Sequence, residues 1–111
     1  MNSRIAILAG LVLAVTGCTT TTVSANPLQA RWNGKAAGTF FAAYGPPVAD
    51  VEGPNGTTLY RWRGGFVRGR ACQVELTVNS DYSIRNIRAL VDRPDDKGGP
   101  SQCEKFLDAA R

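Results

Sequence analysis

The sequence predicts an α+β domain: an N-terminal helix, a three-stranded antiparallel sheet and a C-terminal helix tied back by a disulfide. Three observations carry that prediction. Residues 71–79 alternate apolar and polar side chains without a break, as a half-buried antiparallel strand does. Ser101-Gln102-Cys103-Glu104 is an S-x-x-E capping box that opens an apolar stripe at helical spacing. A cysteine stands on the inward face of each element, Cys72 on the strand and Cys103 in the first helical turn.

Before the domain comes an address. Met1–Arg4 is a short positive start, and residues 5–15 (IAILAGLVLAV) are an uninterrupted apolar run. That is the layout of a signal peptide; a membrane-spanning helix needs about 20 apolar residues. Val15-Thr16-Gly17-Cys18 resembles the lipobox of bacterial lipoproteins, which implies cleavage before Cys18 and acylation of its thiol and new amino group. An ordinary signal peptide with a chance cysteine is the alternative. Thr19, rather than Asp, follows the cysteine, and the sorting rule of Gram-negative lipoproteins then implies the outer membrane, facing the periplasm. Three acyl chains would hold the protein far more firmly than one, at ~0.8 kcal/mol per buried CH₂.

Residues 19–30 (TTTTVSANPLQA) are polar and Thr-rich without apolar periodicity, and read as a tether. The expected organisation is a signal peptide over 1–17, a lipidated cysteine and flexible tether over 18–30, and a periplasmic α+β domain over 31–111. The length of 111 residues allows one small domain and no more.

Within that domain, Ala37, Phe40, Phe41 and Tyr44 recur at i, i+3, i+4, i+7 and predict a helix over 35–44. Gly45 and Pro46-Pro47 end it. Residues 53–56 (GPNG) read as a turn. The first predicted strand is 57–63, with Thr58, Tyr60 and Trp62 on one face and Leu59, Arg61 and Arg63 on the other. Residues 64–70 form the crossing to the second strand, 71–79, whose Cys72, Val74, Leu76 and Val78 face one side. A turn at Asn79-Ser80-Asp81 leads into a third strand over 82–91. There the apolar phase slips from Tyr82 and Ile84 to Ile87, Ala89 and Val91, which places a bulge near Arg85-Asn86. Residues 93–100 are a solvated loop. The final helix carries Cys103, Phe106, Leu107 and Ala110 on its apolar stripe.

Two inward-facing cysteines in an exported domain of this size predict a structural disulfide between Cys72 and Cys103, with two buried free thiols as the alternative. No metal site is expected from two thiols without histidine or C-x-x-C spacing, and no cofactor is implied. Nor is there a nucleophile motif or carboxylate pair at a recognisable spacing, so binding is expected rather than catalysis. Asp95-Asp96 alone is a weak calcium signal.

The stretch RWRGGFVRGRAC (61–72) resembles an RNA-binding segment in composition, yet an exported protein meets no cellular RNA or chromosomal DNA. Without Arg4, 12 basic side chains face 9 acidic ones, too mild a surplus to bind nucleic acid by charge alone. Arg61, Arg63, Arg68 and Arg70 with Phe66 therefore form either a solvated edge or an anion- and partner-binding patch.

W-N-G-K, a helix ending Y-G-P-P, then L-Y-R-W, a strand cysteine, the Asp81–Ile84 turn and the terminal Cys103 are together similar to the BamE/SmpA-like fold, also seen in β-lactamase-inhibitor domains. The resemblance spans residues 32–103 and implies helices packed on one face of an antiparallel sheet, in an accessory lipoprotein of the outer membrane. It carries over no binding residue. The functional expectation is a lipid-anchored, non-catalytic envelope protein with a protein partner; the alternative is an inhibitor of a periplasmic or foreign hydrolase such as a lysozyme or protease.

Overall fold

The computed structural model describes residues 26–110. Cys18, the signal peptide and residues 18–25 of the expected tether lie outside them. The described chain is α+β: helices α1 (Pro27–Trp32) and α2 (Ala37–Tyr44), strands β1 (Ala49–Glu52), β2 (Thr58–Val67), β3 (Arg70–Val78) and β4 (Ile84–Val91), and helix α3 (Gln102–Phe106). The sheet is a four-stranded antiparallel meander in the order β1-β2-β3-β4.

Two elements correct the sequence expectation. The sheet has four strands rather than three, because β1 pairs along β2 from Ala49↔Arg61 to Glu52↔Thr58. All four β1 residues are exposed, so the strand owes its existence to main-chain pairing and carries no burial alternation to read. Its Asp50 and Glu52 guard the free edge, as charges on edge strands do. The second correction is α1, which occupies the last part of the segment expected to be tether. Asn26 caps it through its side-chain oxygen, which accepts from the Leu28 amide at 2.8 Å, and Pro27 fills the first turn where no amide partner is needed. Leu28 and Trp32, one helical turn apart, are both buried, so residues 27–30 belong to the fold as Arg31 onward does.

The helices cover one face of the sheet. Phe40 of α2 is fully buried and meets Trp32, Tyr44 and Trp62 edge to face, with centroids 5.0–5.6 Å apart. Below this aromatic tier lie Val74, Leu76 and Val78 of β3 and Ile84 and Ile87 of β4, every one buried. Trp32 ties both ends of the domain together: its indole N–H donates to the Leu107 carbonyl at 2.9 Å, across 75 residues. Gly45 takes a positive φ of 105° after α2 and donates its amide to Phe41 at 2.8 Å.

β3 alternates as expected, with Cys72, Val74, Leu76 and Val78 buried and Gln73, Glu75 and Thr77 turned away. β2 runs four residues past its expected end, so the crossing shrinks to Arg68-Gly69 with Val67 facing Arg70. Positive φ at both turn residues, 52° and 79°, matches the twist of a tight hairpin. A bulge between Gly64 and Val67 puts Gly65 at φ 59°. β4 starts at Ile84 rather than Tyr82, which is turned out to solvent at φ 69°. The pairings Thr77↔Asn86 and Val78↔Ile84 leave Arg85 as the extra residue, at the place where the apolar phase slips; a second irregularity follows near Leu90.

The capping box forms on both sides: Glu104 donates its amide to the Ser101 hydroxyl, and the Ser101 amide to the Glu104 carboxylate. Helix α3 is short and ends in a left-handed Asp108 (φ 58°), with the Ala109 amide reaching back to the Glu104 carbonyl. That early turn buries Ala109 in place of the expected Ala110 and leaves Phe106 43 % exposed. Cys72 and Cys103 are joined by a disulfide, their Cα atoms 5.2 Å apart and neither side chain reached by solvent.

Candidate functional site

The structure divides the arginine stretch between two surfaces. Arg61 and Arg63 stand on the sheet face that the helices leave open, opposite Glu75 and Gln73 of β3. In the Arg61 row, Glu75 is flanked on its other side by Arg88, whose Nε lies 3.0 Å from Oε1. That is the single ion pair among the described residues, so Arg61, Arg63, Arg68 and Arg70 all lack one there. Half in solvent, the pair adds little stability. Phe66 is 63 % exposed just beyond.

Arg68 belongs elsewhere. At the hairpin tip it lines a cleft of about 730 Å³ on the helix side, with Gly65 and Val67. The opposing walls are Arg93, Pro94, Asp95 and Asp96 of the loop after β4, and Gln102, Lys105 and Phe106 of α3. Arg70, at the start of β3, is exposed but outside the cleft. Arg93, Lys105 and Phe106 had no place in the candidate patch. Their signal is tertiary, because the disulfide and cap bring α3 against the hairpin.

Each wall is held by specific bonds. The Gln102 amide group donates to the carbonyls of Gly65 (2.7 Å) and Arg70 (2.9 Å), clasping the bulge to α3. Asp92 accepts from the amides of Arg93 (2.8 Å) and Cys103 (2.9 Å), which fixes the loop to the start of the helix. Asp95 accepts from the amides of Lys97 and Gly99, holding the turn beneath the rim. Phe106 stacks on Trp62, centroids 5.9 Å apart at 24°, and leans on Tyr44 at 5.7 Å. Gly65 permits this approach: a β-carbon there would stand 2.6 Å from the ring.

The shifted ionisable groups lie outside the cleft. Burial, helped by the hydrogen bond to Asp108, pushes the Tyr44 phenol well above the usual tyrosine range. The Ser83 hydroxyl and amide hold Asp81 below the usual carboxylate range in the β3–β4 turn. Burial, with Tyr82 and Asp50 nearby, also raises the Tyr60 phenol. Among the described residues no group of three or more His, Cys, Asp or Glu side chains is placed to hold a metal ion, and no helix is long and apolar enough to cross a membrane.

Compared with known proteins, the chain shows no significant match to a family model, a curated protein or a solved structure.

Proposed function

We propose that the chain is a lipid-anchored protein of the cell envelope, held at the outer membrane through Cys18 and facing the periplasm, whose domain binds a protein partner without catalysis. The observation that carries this reading is the buried disulfide in a chain that opens with an apolar run followed, after Thr16-Gly17, by Cys18. Disulfides persist in oxidising compartments, and the leader supplies the route to one. The short sequence pattern that resembles the BamE/SmpA-like lipoproteins is the basis for proposing an accessory subunit of an outer-membrane complex. The domain's chemistry supports binding: cations and the exposed Phe106 ring line an open cleft, and the shifted ionisable groups lie outside it.

The test is made in the cells that produce the protein. A fatty-acid probe should label the wild-type chain and not Cys18→Ala, which should accumulate as precursor. Crosslinking in intact cells, followed by mass spectrometry, should give one stoichiometric envelope protein that is lost in the mislocalised variant. Mature-sized, labelled Cys18→Ala protein would refute the anchor.

A further inference from the structure

The cleft between the β2–β3 hairpin and α3 pairs an apolar wall with a cationic rim. Phe106 and Val67 are 43 % and 45 % exposed, although Phe106 is already fixed by Trp62, Tyr44 and the close approach of Gly65. A ring whose position is set in the free protein loses little rotamer freedom when covered, which is the character of an interface anchor. Around it stand Arg68, Arg93 and Lys105, none in an ion pair among the described residues. Asp95 is engaged by turn amides, which leaves Asp96 as the rim carboxylate without a hydrogen bond among those residues. Three cations against two carboxylates, one of them already engaged by turn amides, leave the rim net positive and favour an acidic ligand.

We propose that this cleft receives a short segment of a partner protein presenting an aromatic or large aliphatic side chain beside one or two carboxylates. The proposal rests on the reading of the domain as a binding module, and adds the site and the chemistry it accepts. Shape favours a chain segment over a bilayer. A concave site walled by the hairpin, the loop and α3 admits a side chain, whereas a flat membrane surface rests on the rim. The volume of about 730 Å³ falls in the range that encloses a ligand of a few residues. The bulge and the disulfide hold the walls before any ligand arrives, so little ordering accompanies binding.

The test uses the full chain in neutral detergent, disulfide intact, and three acetylated, amidated tetrapeptides: alternating glutamate and phenylalanine, lysine and phenylalanine, and glutamate and alanine. The lysine peptide also controls for partition into micelles. Backbone amide NMR should show saturable shifts over 65–68, 93–96 and 102–106 with the glutamate–phenylalanine peptide alone. Arg93→Gln and Lys105→Gln should each weaken it about fivefold. Arg68→Asn, a residue that tolerates the positive φ of 52°, should do the same. Phe106→Ala also unseats Trp62, so the exposed Val67→Ser serves as the apolar variant that keeps the fold. Equal affinity for the lysine peptide, shifts confined to other surfaces, or none at millimolar peptide would overturn the proposal. Protection of the cleft by anionic vesicles in place of peptide would overturn it in favour of a lipid surface. A cellular partner crosslinked only to the open sheet face would sink the cleft and leave the binding reading standing; no partner on either surface would sink both.

Discussion

Gly65→Ala asks two things of the fold at once. The backbone there has φ 59°, which costs an L-residue about 1–2 kcal/mol. The new β-carbon would also stand 2.6, 2.9 and 3.0 Å from three atoms of the Phe106 ring, too close without movement. Shifting that ring off Trp62 or opening the bulge is an overpacking cost of about 1–3 kcal/mol. The stiffer unfolded chain returns about 0.4–1 kcal/mol. The expected loss is therefore ~2–4 kcal/mol, or about 10–30 °C in Tm for a domain of this size. Gly69→Ala is the control, since its φ is 79° but nothing lies within 4 Å of the added carbon. Its loss should stay near ~1 kcal/mol. Urea unfolding of both variants, disulfide intact, isolates the steric part, and the excess of Gly65→Ala should vanish in a Phe106→Ala background. If Gly65→Ala cost no more than Gly69→Ala, or if its excess survived removal of the ring, the reasoning would fail.

Further expectations concern the bridge and two of the shifted groups, Asp81 and Tyr44. Reducing Cys72–Cys103, 31 positions apart, should lower stability by roughly 3.7 kcal/mol on the chain-entropy account; superimposable urea curves with and without reductant would contradict it. Asp81 holds its carboxyl below the usual 3.8, so its stabilising contribution is present above that pH and lost as pH falls through the lower, folded value; Asp81→Asn should flatten the acid limb of a stability–pH curve. Tyr44 holds its proton more tightly folded than unfolded, so stability should fall as pH rises past 10, and Tyr44→Phe should remove part of that slope.

Where the sequence was transparent, burial and local geometry agreed. β3 is sandwiched between two strands with one face in the core, so its alternation is clean and orients Cys72, as the capping-box register orients Cys103. The phase slip in β4 marked a bulge because Ile84 and Ile87 both have to reach the core. β1 was hidden because no residue in it is buried. α1 had a readable start in Asn26-Pro27, but six residues amid polar composition hide two buried contacts. The arginines illustrate a different failure. Adjacency in the chain suggested one patch, whereas the bulge at Gly64–Val67 and the docking of α3 separate Arg68 from Arg61 and Arg63. The cleft joins residues as far apart as Gly65 and Phe106, and no local period encodes that.

The clasp between Trp32 and Leu107 has a consequence for the order in which the protein acquires its structure. Each strand of the meander pairs with its neighbour in sequence, so the hairpins need only nearby residues and can form early. The first helix packs mainly on β4, yet its last bonds must wait for the end of the chain. Its Trp32 indole waits for the Leu107 carbonyl, and its Arg31 guanidinium donates to the Asp108 carbonyl. A chain delivered amino end first, whether from a ribosome or through a translocation pore, therefore holds an indole N–H without its acceptor, and a tryptophan only partly covered, until residue 107 arrives. Until then it offers chaperones and proteases an apolar handle that the finished domain conceals.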